Sequence, residues 1–281
     1  MPLESGGSNH ASFLDQPNDH GVALKLATWN VNSLKVRLPH VLSWLSTSQC
    51  DVLCLQELKL EQAAFPQAEI EAAGYRAAWF GQKTYNGVAI LTRLPLEPRD
   101  VVCGIPDYPD VQSRVIAATV GDMRVICAYF VNGESVESDK YQYKLAWLAG
   151  LHRYIERELQ LHDGRVVLLG DFNIAPADLD VYDPAAWQDK VLCSKPERDA
   201  FDQLIALGLT DGFRHCHPDT VAYSWWDYRA AMFRRNLGLR IDHILYGHGL
   251  RALDAAIDTE PRRWERPSDH APVWLTLDDQ P

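Results

Sequence analysis

The sequence predicts an α/β domain with sheet layers inside and helices outside. Three observations carry that expectation. Short continuous apolar runs recur along the chain, as strands buried on both faces do. Between them lie stretches whose apolar residues repeat with helical period. No Pro- or Gly-rich linker divides residues 24–278, so they read as one layered domain.

Leu24 to Trp29 reads as the first strand. The next segment carries Leu38, Val41, Leu42 and Leu45, the i, i+3, i+4, i+7 stripe of an amphipathic helix. Val52 to Leu55 is short and wholly apolar, fit for a buried strand. Gly87 to Thr92, Arg114 to Val120 and Arg124 to Phe130 read as strands. Asp139 to Leu161 reads as a helix with Leu145, Leu148, His152, Ile155 and Leu159 on one side. Val166 to Leu169 is another buried run, and Ile241 to Tyr246 and Ala271 to Leu277 close the series. Residues 100–113, 131–139, 174–200 and 214–239 read as long loops, which are uncommon unless functional. Residues 1–23 are polar and rich in Ser, Asn, Gly and Pro. They are expected to form a flexible tail, lacking the apolar centre of a signal peptide and the Arg-rich character of a transit peptide.

Of the 281 residues 47% are hydrophobic, enough for a sizeable core. Six cysteines are scattered without a CxxC pair. That argues against a disulfide frame or zinc knuckle and for a reducing cytoplasm. No apolar stretch approaches the roughly 20 residues of a membrane span. A net charge of −11 argues against indiscriminate binding to nucleic acid. Between Gly212 and Arg251, however, six arginines face three aspartates, beside Trp225, Trp226, Tyr228 and Phe233. Composition alone favours a solvated loop there, although a basic aromatic segment can also face a phosphate backbone.

The apolar runs share a second property. One ends in Trp29-Asn30-Val31-Asn32, another in Gln56-Glu57-Leu58-Lys59, a third in Gly170-Asp171-Phe172-Asn173. The run at 241–246 carries Asp242-His243, and the last follows Ser268-Asp269-His270. Each cluster alone suits a turn, because Asp and Asn close local turns readily. Five together suggest a crevice at strand ends, where α/β sheets bind ligands. Glu57 and Asp269 offer hard oxygens, with the amides of Asn30 and Asn32 beside them, a set suited to Mg²⁺ rather than zinc. His270 can act near neutral pH if a carboxylate orients it; Asp242 is the candidate orienter and Asp171 a candidate base.

The strings WNVNSLKVR, LCLQELK, YNGVAILTR, GDFNIAP, SWWDYR, LGLRIDHIL and PSDHAPVW, in this order, resemble exonuclease III and the class II AP endonucleases of the endonuclease/exonuclease/phosphatase superfamily. The resemblance covers about residues 24–277. It implies a DNase I-like four-layered α/β sandwich, two packed mixed β-sheets flanked by helices. It implies a DNA repair nuclease that uses Mg²⁺, with Mn²⁺ able to substitute. The implied activities are 3′-to-5′ exonuclease, removal of 3′ phosphates and sugar fragments, and incision 5′ to abasic sites. The implied partner is duplex DNA with abasic sites or blocked 3′ ends, met by a cytoplasmic, nucleoid-associated monomer.

The resemblance also assigns roles to residues of this chain. Glu57 is implied as the main metal ligand, with Asn30 beside it and Asp269 near a second metal position. Asp171 activates or holds the attacking water, or serves the leaving oxygen. Asn173 donates to the scissile phosphate, His270 contacts it with Asp242 behind, and Tyr129 is an active-site tyrosine. Asn132, Asn32, Lys59 and Arg114 lie on the phosphate side. Trp225, Trp226 and Leu239 wall a cup for an extruded abasic sugar, while Arg229, Arg234, Arg235 and Arg240 grip phosphates. The chain departs from the pattern in its acidity, in the aliphatic Leu239, and in a long 174–200 segment whose Tyr182 or Trp187 is placed to narrow the site. An alternative expectation is therefore a 3′-phosphatase and 3′-exonuclease with little abasic incision, gated by that segment. Remoter readings are a lipid or inositol phosphatase and a non-catalytic DNA-binding module.

Overall fold

A computed structural model describes residues 23–278. The expected tail, apart from its last residue, lies outside the described residues. The chain begins with β1 (Leu24–Asn30), α1 (Leu34–Ser48), β2 (Val52–Gln56), α2 (Gln67–Ala72), β3 (Tyr75–Phe80) and β4 (Val88–Arg93). Next come β5 (Arg99–Cys103), β6 (Val115–Val120), β7 (Met123–Tyr129), α3 (Asp139–Leu161), β8 (Val166–Asp171), α4 (Pro184–Trp187) and α5 (Lys195–Ala206). It closes with β9 (Leu209–Asp211), α6 (Gly212–Cys216), β10 (Asp242–Gly247), β11 (Arg251–Ile257) and β12 (Val273–Asp278).

The strands form two six-stranded mixed sheets, ordered β11-β12-β1-β2-β4-β3 and β5-β6-β7-β8-β10-β9. Their inner faces pack together through Leu26, Cys54 and Ile90 of the first against Ile116, Cys127, Leu169 and Ile244 of the second. The outer face of the first sheet buries Trp29 and Leu55 against Val41, Trp44 and Leu45 of α1. The outer face of the second buries Ile126 and Leu168 against Trp147, Leu151 and Ile155 of α3. Helix, sheet, sheet and helix make the four layers expected of the family resemblance. Strands such as Val52–Gln56 and Val166–Asp171 are buried throughout and apolar up to their ends because both faces of each strand are covered.

Every strand foreseen in the sequence is present, with ends shifted by one or two residues. Those not foreseen, β3, β5, β9 and β11, are the four sheet edges. An edge strand is covered less completely, so its sequence carries no continuous apolar run. β5 follows the pattern closely, being largely exposed and beginning Arg99-Asp100. The 100–113 segment is thus partly strand, and 174–200 contains α4 and the start of α5.

The pairing sets the site. β1 runs parallel to β2 with Asn30 opposite Gln56, and β7 runs parallel to β8 with Tyr129 opposite Asp171. β10 is antiparallel to β8, which places Asp242 opposite Asp171. Polar residues from both sheets therefore emerge at one end of the sandwich. Gly170, just before Asp171, pairs with Ala128 on one side and His243 on the other. A Cβ at Gly170 would lie 1.8 Å from the Ala128 carbonyl oxygen. Gly170→Ala should therefore cost about 3 kcal/mol through forced separation of these strands. An unchanged urea midpoint would contradict that close approach.

Candidate active site

Asn30 stands at the centre of the site. Its Nδ2 donates to Glu57 Oε1 at 2.8 Å and to Asp171 Oδ2 at 2.9 Å. Its own oxygen accepts the Asn32 N–H at 2.9 Å. Asn30, expected beside Glu57 at the metal, is here an N–H donor that holds two carboxylates in place. Glu57 and Lys59 both have left-handed backbone, each with φ 53. Such backbone persists where surroundings over-determine it. Here the Leu58 and Lys59 N–H groups donate to the Gly87 and Asn86 carbonyls, while the Glu57 and Leu58 carbonyls accept from Ser33 and Leu34. The Lys59 ammonium completes the corner, 2.8 Å from Glu57 Oε2 and 2.6 Å from Asn32 Oδ1.

His270 lies between two carboxylates. Its Nδ1 is 2.8 Å from Asp242 Oδ2 and its Nε2 is 3.7 Å from Asp171 Oδ2. Ser224 Oγ donates to Asp242 at 2.6 Å, and Trp29 Nε1 donates to the His270 carbonyl at 3.1 Å. Burial alone would lower the His270 pKa, but Asp242 and Asp171 outweigh it and push it up to about 10. Asp171 is raised well above the usual carboxylate range, by burial first and by Asp242 and Glu57 as well, although His270 opposes the shift. Among the described residues, Asp171, Asp242 and His270 form a group whose potential ligand atoms all lie within 4.8 Å of one another.

The far wall is made of amides and phenol. Asn173 is buried with φ 50, its N–H donating to Asp171 Oδ1 at 2.9 Å. Asn132 is exposed and donates to Asn173 Oδ1 at 2.9 Å. The Tyr129 phenol is held neutral, its pKa raised by burial and by the neighbouring Glu57 and Asp171. The Arg114 guanidinium lies 5.0 Å from the Tyr129 ring centroid.

The aromatic side differs more from expectation. Trp225 is partly exposed and its Nε1 donates to Asp269 Oδ2 at 3.0 Å, while Asn32 Nδ2 donates to Asp269 Oδ1 at 2.9 Å. Both Asp269 oxygens are thus engaged, one residue away from the Asn30 centre. Trp226 and Leu239, expected as pocket walls, are buried below the surface. Trp226 packs on Tyr223 and Phe233, and Leu239 lies under Trp225 in a cluster with Val181 and Ile241. Arg240, expected on phosphates, is only 1% exposed. It pairs with Asp180 at 2.7 Å and Asp211 at 2.8 Å, and Arg214 joins Asp180 at 2.6 Å. A local count of charges cannot reveal this inward pairing. Arg229, Arg234 and Arg235 do face solvent, although Arg229 is paired with Asp227. The same buried cluster pins the 174–200 segment through Asp180, and the Tyr182 N–H donates to the Gly238 carbonyl at 3.2 Å. These contacts anchor the segment at Asp180 and Tyr182.

Sequence reasoning did not single out Ser224, Trp29, Arg37 or Ser268. Arg37 donates to the Asn32 and Pro267 carbonyls, at 2.6 and 2.9 Å, and Ser268 Oγ donates to the Asn30 carbonyl at 2.7 Å. Ser224 and Ser268 flank recognised motif residues, and that adjacency was the available signal.

Buried carboxylates, an imidazole between two of them and amides at one strand mouth suit a class: hydrolases of phosphate esters that work with a metal ion. Residues 27–270 match the Endonuclease/Exonuclease/phosphatase family, and the chain belongs to it. Exodeoxyribonuclease III of Haemophilus influenzae is 39% identical over 269 residues, 89% of this chain and 98% of that protein. The 3′ phosphatase NExo from Neisseria, solved bound to product DNA hairpin, superposes with a TM-score of 0.87 at 52% identity, covering 90% of this chain and 98% of that one. An AP endonuclease from Archaeoglobus fulgidus superposes with a TM-score of 0.85 at 38% identity, again covering 90% and 98%.

Two measurements test this geometry. In metal-free protein the His270 imidazole should remain protonated through neutral pH and titrate near pH 10, as read by nitrogen chemical shifts. Asp242→Asn should bring that titration down by removing the nearest counter-charge. A wild-type midpoint near 6.5 would contradict the pairing. Arg240→Met should cost about 3–5 kcal/mol, because Asp180 and Asp211 lose their buried cation. Burial alone would raise the Asp211 pKa, but Arg240 holds it well below the usual carboxylate range. That stabilisation is present above the unfolded value of about 3.9 and is lost as the pH falls toward the depressed folded value. Urea titrations at pH 7 and pH 3 should show wild type and variant converging at the lower pH.

Proposed function

We propose that this chain is a Mg²⁺-dependent DNA repair nuclease that hydrolyses phosphodiester and phosphomonoester bonds at 3′ ends of duplex DNA. The observation that carries the reading is the convergence of Glu57, Asp171 and His270, from separate loops, on one hydrogen-bonded centre around Asn30. The relatives from Haemophilus, Neisseria and Archaeoglobus, an exodeoxyribonuclease III, a 3′ phosphatase and an AP endonuclease, support it. Residues 24–278 would act as one catalytic domain, as a monomer, in the cytoplasm at the nucleoid.

Chemistry divides the work. A positioned acid or base contributes about 3–5 kcal/mol, whereas phosphate-ester hydrolysis demands on the order of 20 kcal/mol of barrier reduction. Glu57 and Asp269 present hard oxygens without a thiolate, a donor set that suits Mg²⁺ and admits Mn²⁺. Bound there, the ion supplies the electrostatic stabilisation of the phosphoryl oxygens that side chains alone do not. His270, already protonated, is unsuited to be the base. Its Nε2–H is free to donate to a phosphate oxygen, with Asp242 and Ser224 fixing the ring. Asp171, with its raised pKa, accepts the proton from the attacking water. Asn132, Arg114 and Lys59 border the phosphate with further donors.

A second observation bears on substrate choice. The burial of Trp226 and Leu239, and the pinned 174–200 segment, leave Trp225 as the aromatic wall beside Asp269. This favours 3′-end processing over incision at internal abasic sites. Removal of a 3′ phosphate from a nicked duplex should outpace cleavage at an internal abasic analogue by at least about tenfold, a barrier difference of about 1.4 kcal/mol. Both reactions should stop with chelator and resume with Mg²⁺. Asp171→Asn and His270→Gln should each lower kcat by about 10²–10⁴-fold. Wild-type protein that cleaves none of these substrates in Mg²⁺ refutes the nuclease reading, and equal rates refute the preference for ends.

A further inference from the structure

Lys144 lies on α3, one turn after Tyr141, on the stripe that faces the core, and its side chain is wholly buried. A lysine at such a position is costly unless each of its protons finds an acceptor. Here the three acceptors are the Asn132 carbonyl at 3.1 Å, the Asn173 carbonyl at 2.8 Å, and Glu197 Oε1. Glu197, also wholly buried, accepts from the Leu192 N–H at 3.0 Å and the Ser194 N–H at 3.1 Å, at the start of α5. One ammonium therefore ties together the loop after β7, the loop after β8 and the cap of α5. The backbone is shaped around it. Gly133 has φ +97, and a Cβ there would lie 3.2 Å from Lys144 Cδ. The left-handed turn at Asn173 points its carbonyl at the ammonium.

We infer that the buried Lys144–Glu197 pair is a positioning device for the reaction, fixing the two loops from which Asn132, held by the buried Asn173, stands at the phosphate side of the site. The inference rests on the nuclease reading above. Lys144 touches no substrate and acts through the two asparagines, themselves joined at 2.9 Å. A pair that served stability alone would be replaceable by a neutral pair of similar volume, as buried ion pairs often are. A positioning pair would not, because a neutral side chain at 144 cannot draw both carbonyls to one point.

The test compares wild type, Lys144→Met and the double variant K144M/E197Q. Three quantities are read: kcat and KM on a 3′-phosphorylated nicked duplex in Mg²⁺, the melting temperature, and hydrogen exchange of residues 130–134 and 172–175. Lys144→Met should melt lower, since Glu197 is left charged and buried, and the double variant should recover most of that loss. Both variants should nonetheless lose about 100-fold in kcat with KM within about threefold, as small misplacements near a reacting group do. Both should also exchange faster in the two segments. Wild-type kcat in the double variant, or unchanged exchange in both segments, overturns the proposal. If wild-type protein cleaves no DNA, the nuclease reading fails, and the exchange measurement then decides by itself whether Lys144 fixes the two loops.

Discussion

One side-chain amide joins the two sheets at their functional end. Asn30 belongs to β1 in the first sheet, and its Nδ2 reaches Glu57 after β2 and Asp171 at the end of β8 in the second. Two carboxylates repel at that distance unless something neutral but polar stands between them. The amide meets that need without adding charge, and its oxygen is fixed by the Asn32 N–H. The flanking contacts keep this arrangement rigid: Ser268 Oγ holds the Asn30 carbonyl, and Trp29 Nε1 holds the His270 carbonyl. The distance between acid and imidazole thus depends on sheet-on-sheet packing rather than on any single loop.

Much of the charge in the interior is grouped. His270 sits with Asp242 and Asp171, Lys144 with Glu197, and Arg240 with Asp180 and Asp211. Burial of charge is unfavourable by itself, and pairing offsets rather than reverses the cost. Each group lies next to the strand ends that hold the site or next to the loops that wall it. What these pairs supply is a single geometry, which reactions of charged phosphate require more than they require extra stability.

The central strands were readable because both faces of each are buried, and the acids at their ends were readable because strand ends are where a polar residue must have a reason. The family strings then made Glu57, Asp171, Asn173, Asp242 and His270 specific. Direction of side chains was not readable. Arg240 and Leu239 stand in a basic aromatic stretch, yet Leu239 bridges Val181 and Trp225 beneath the surface and Arg240 turns inward to Asp180 and Asp211. Lys144 was hidden in a helix described by its apolar stripe, although a lysine on that stripe between Tyr141 and Leu148 is itself a sign. Asn30 was recognised as a site residue, but which end of its amide faces the carboxylates was not readable, since that depends on partners distant in sequence.

Two of the four strands at the margins of the sheets share more than their incomplete cover. β5 and β11 each interrupt their ladders with a register shift, between Arg99 and Val102 and between Ala252 and Asp254. A broken ladder beside charged side chains offers a poor template for a strand from a neighbouring molecule. The two apolar inner faces are thus flanked, at one margin of each sheet, by a ladder that a neighbouring strand could extend only poorly.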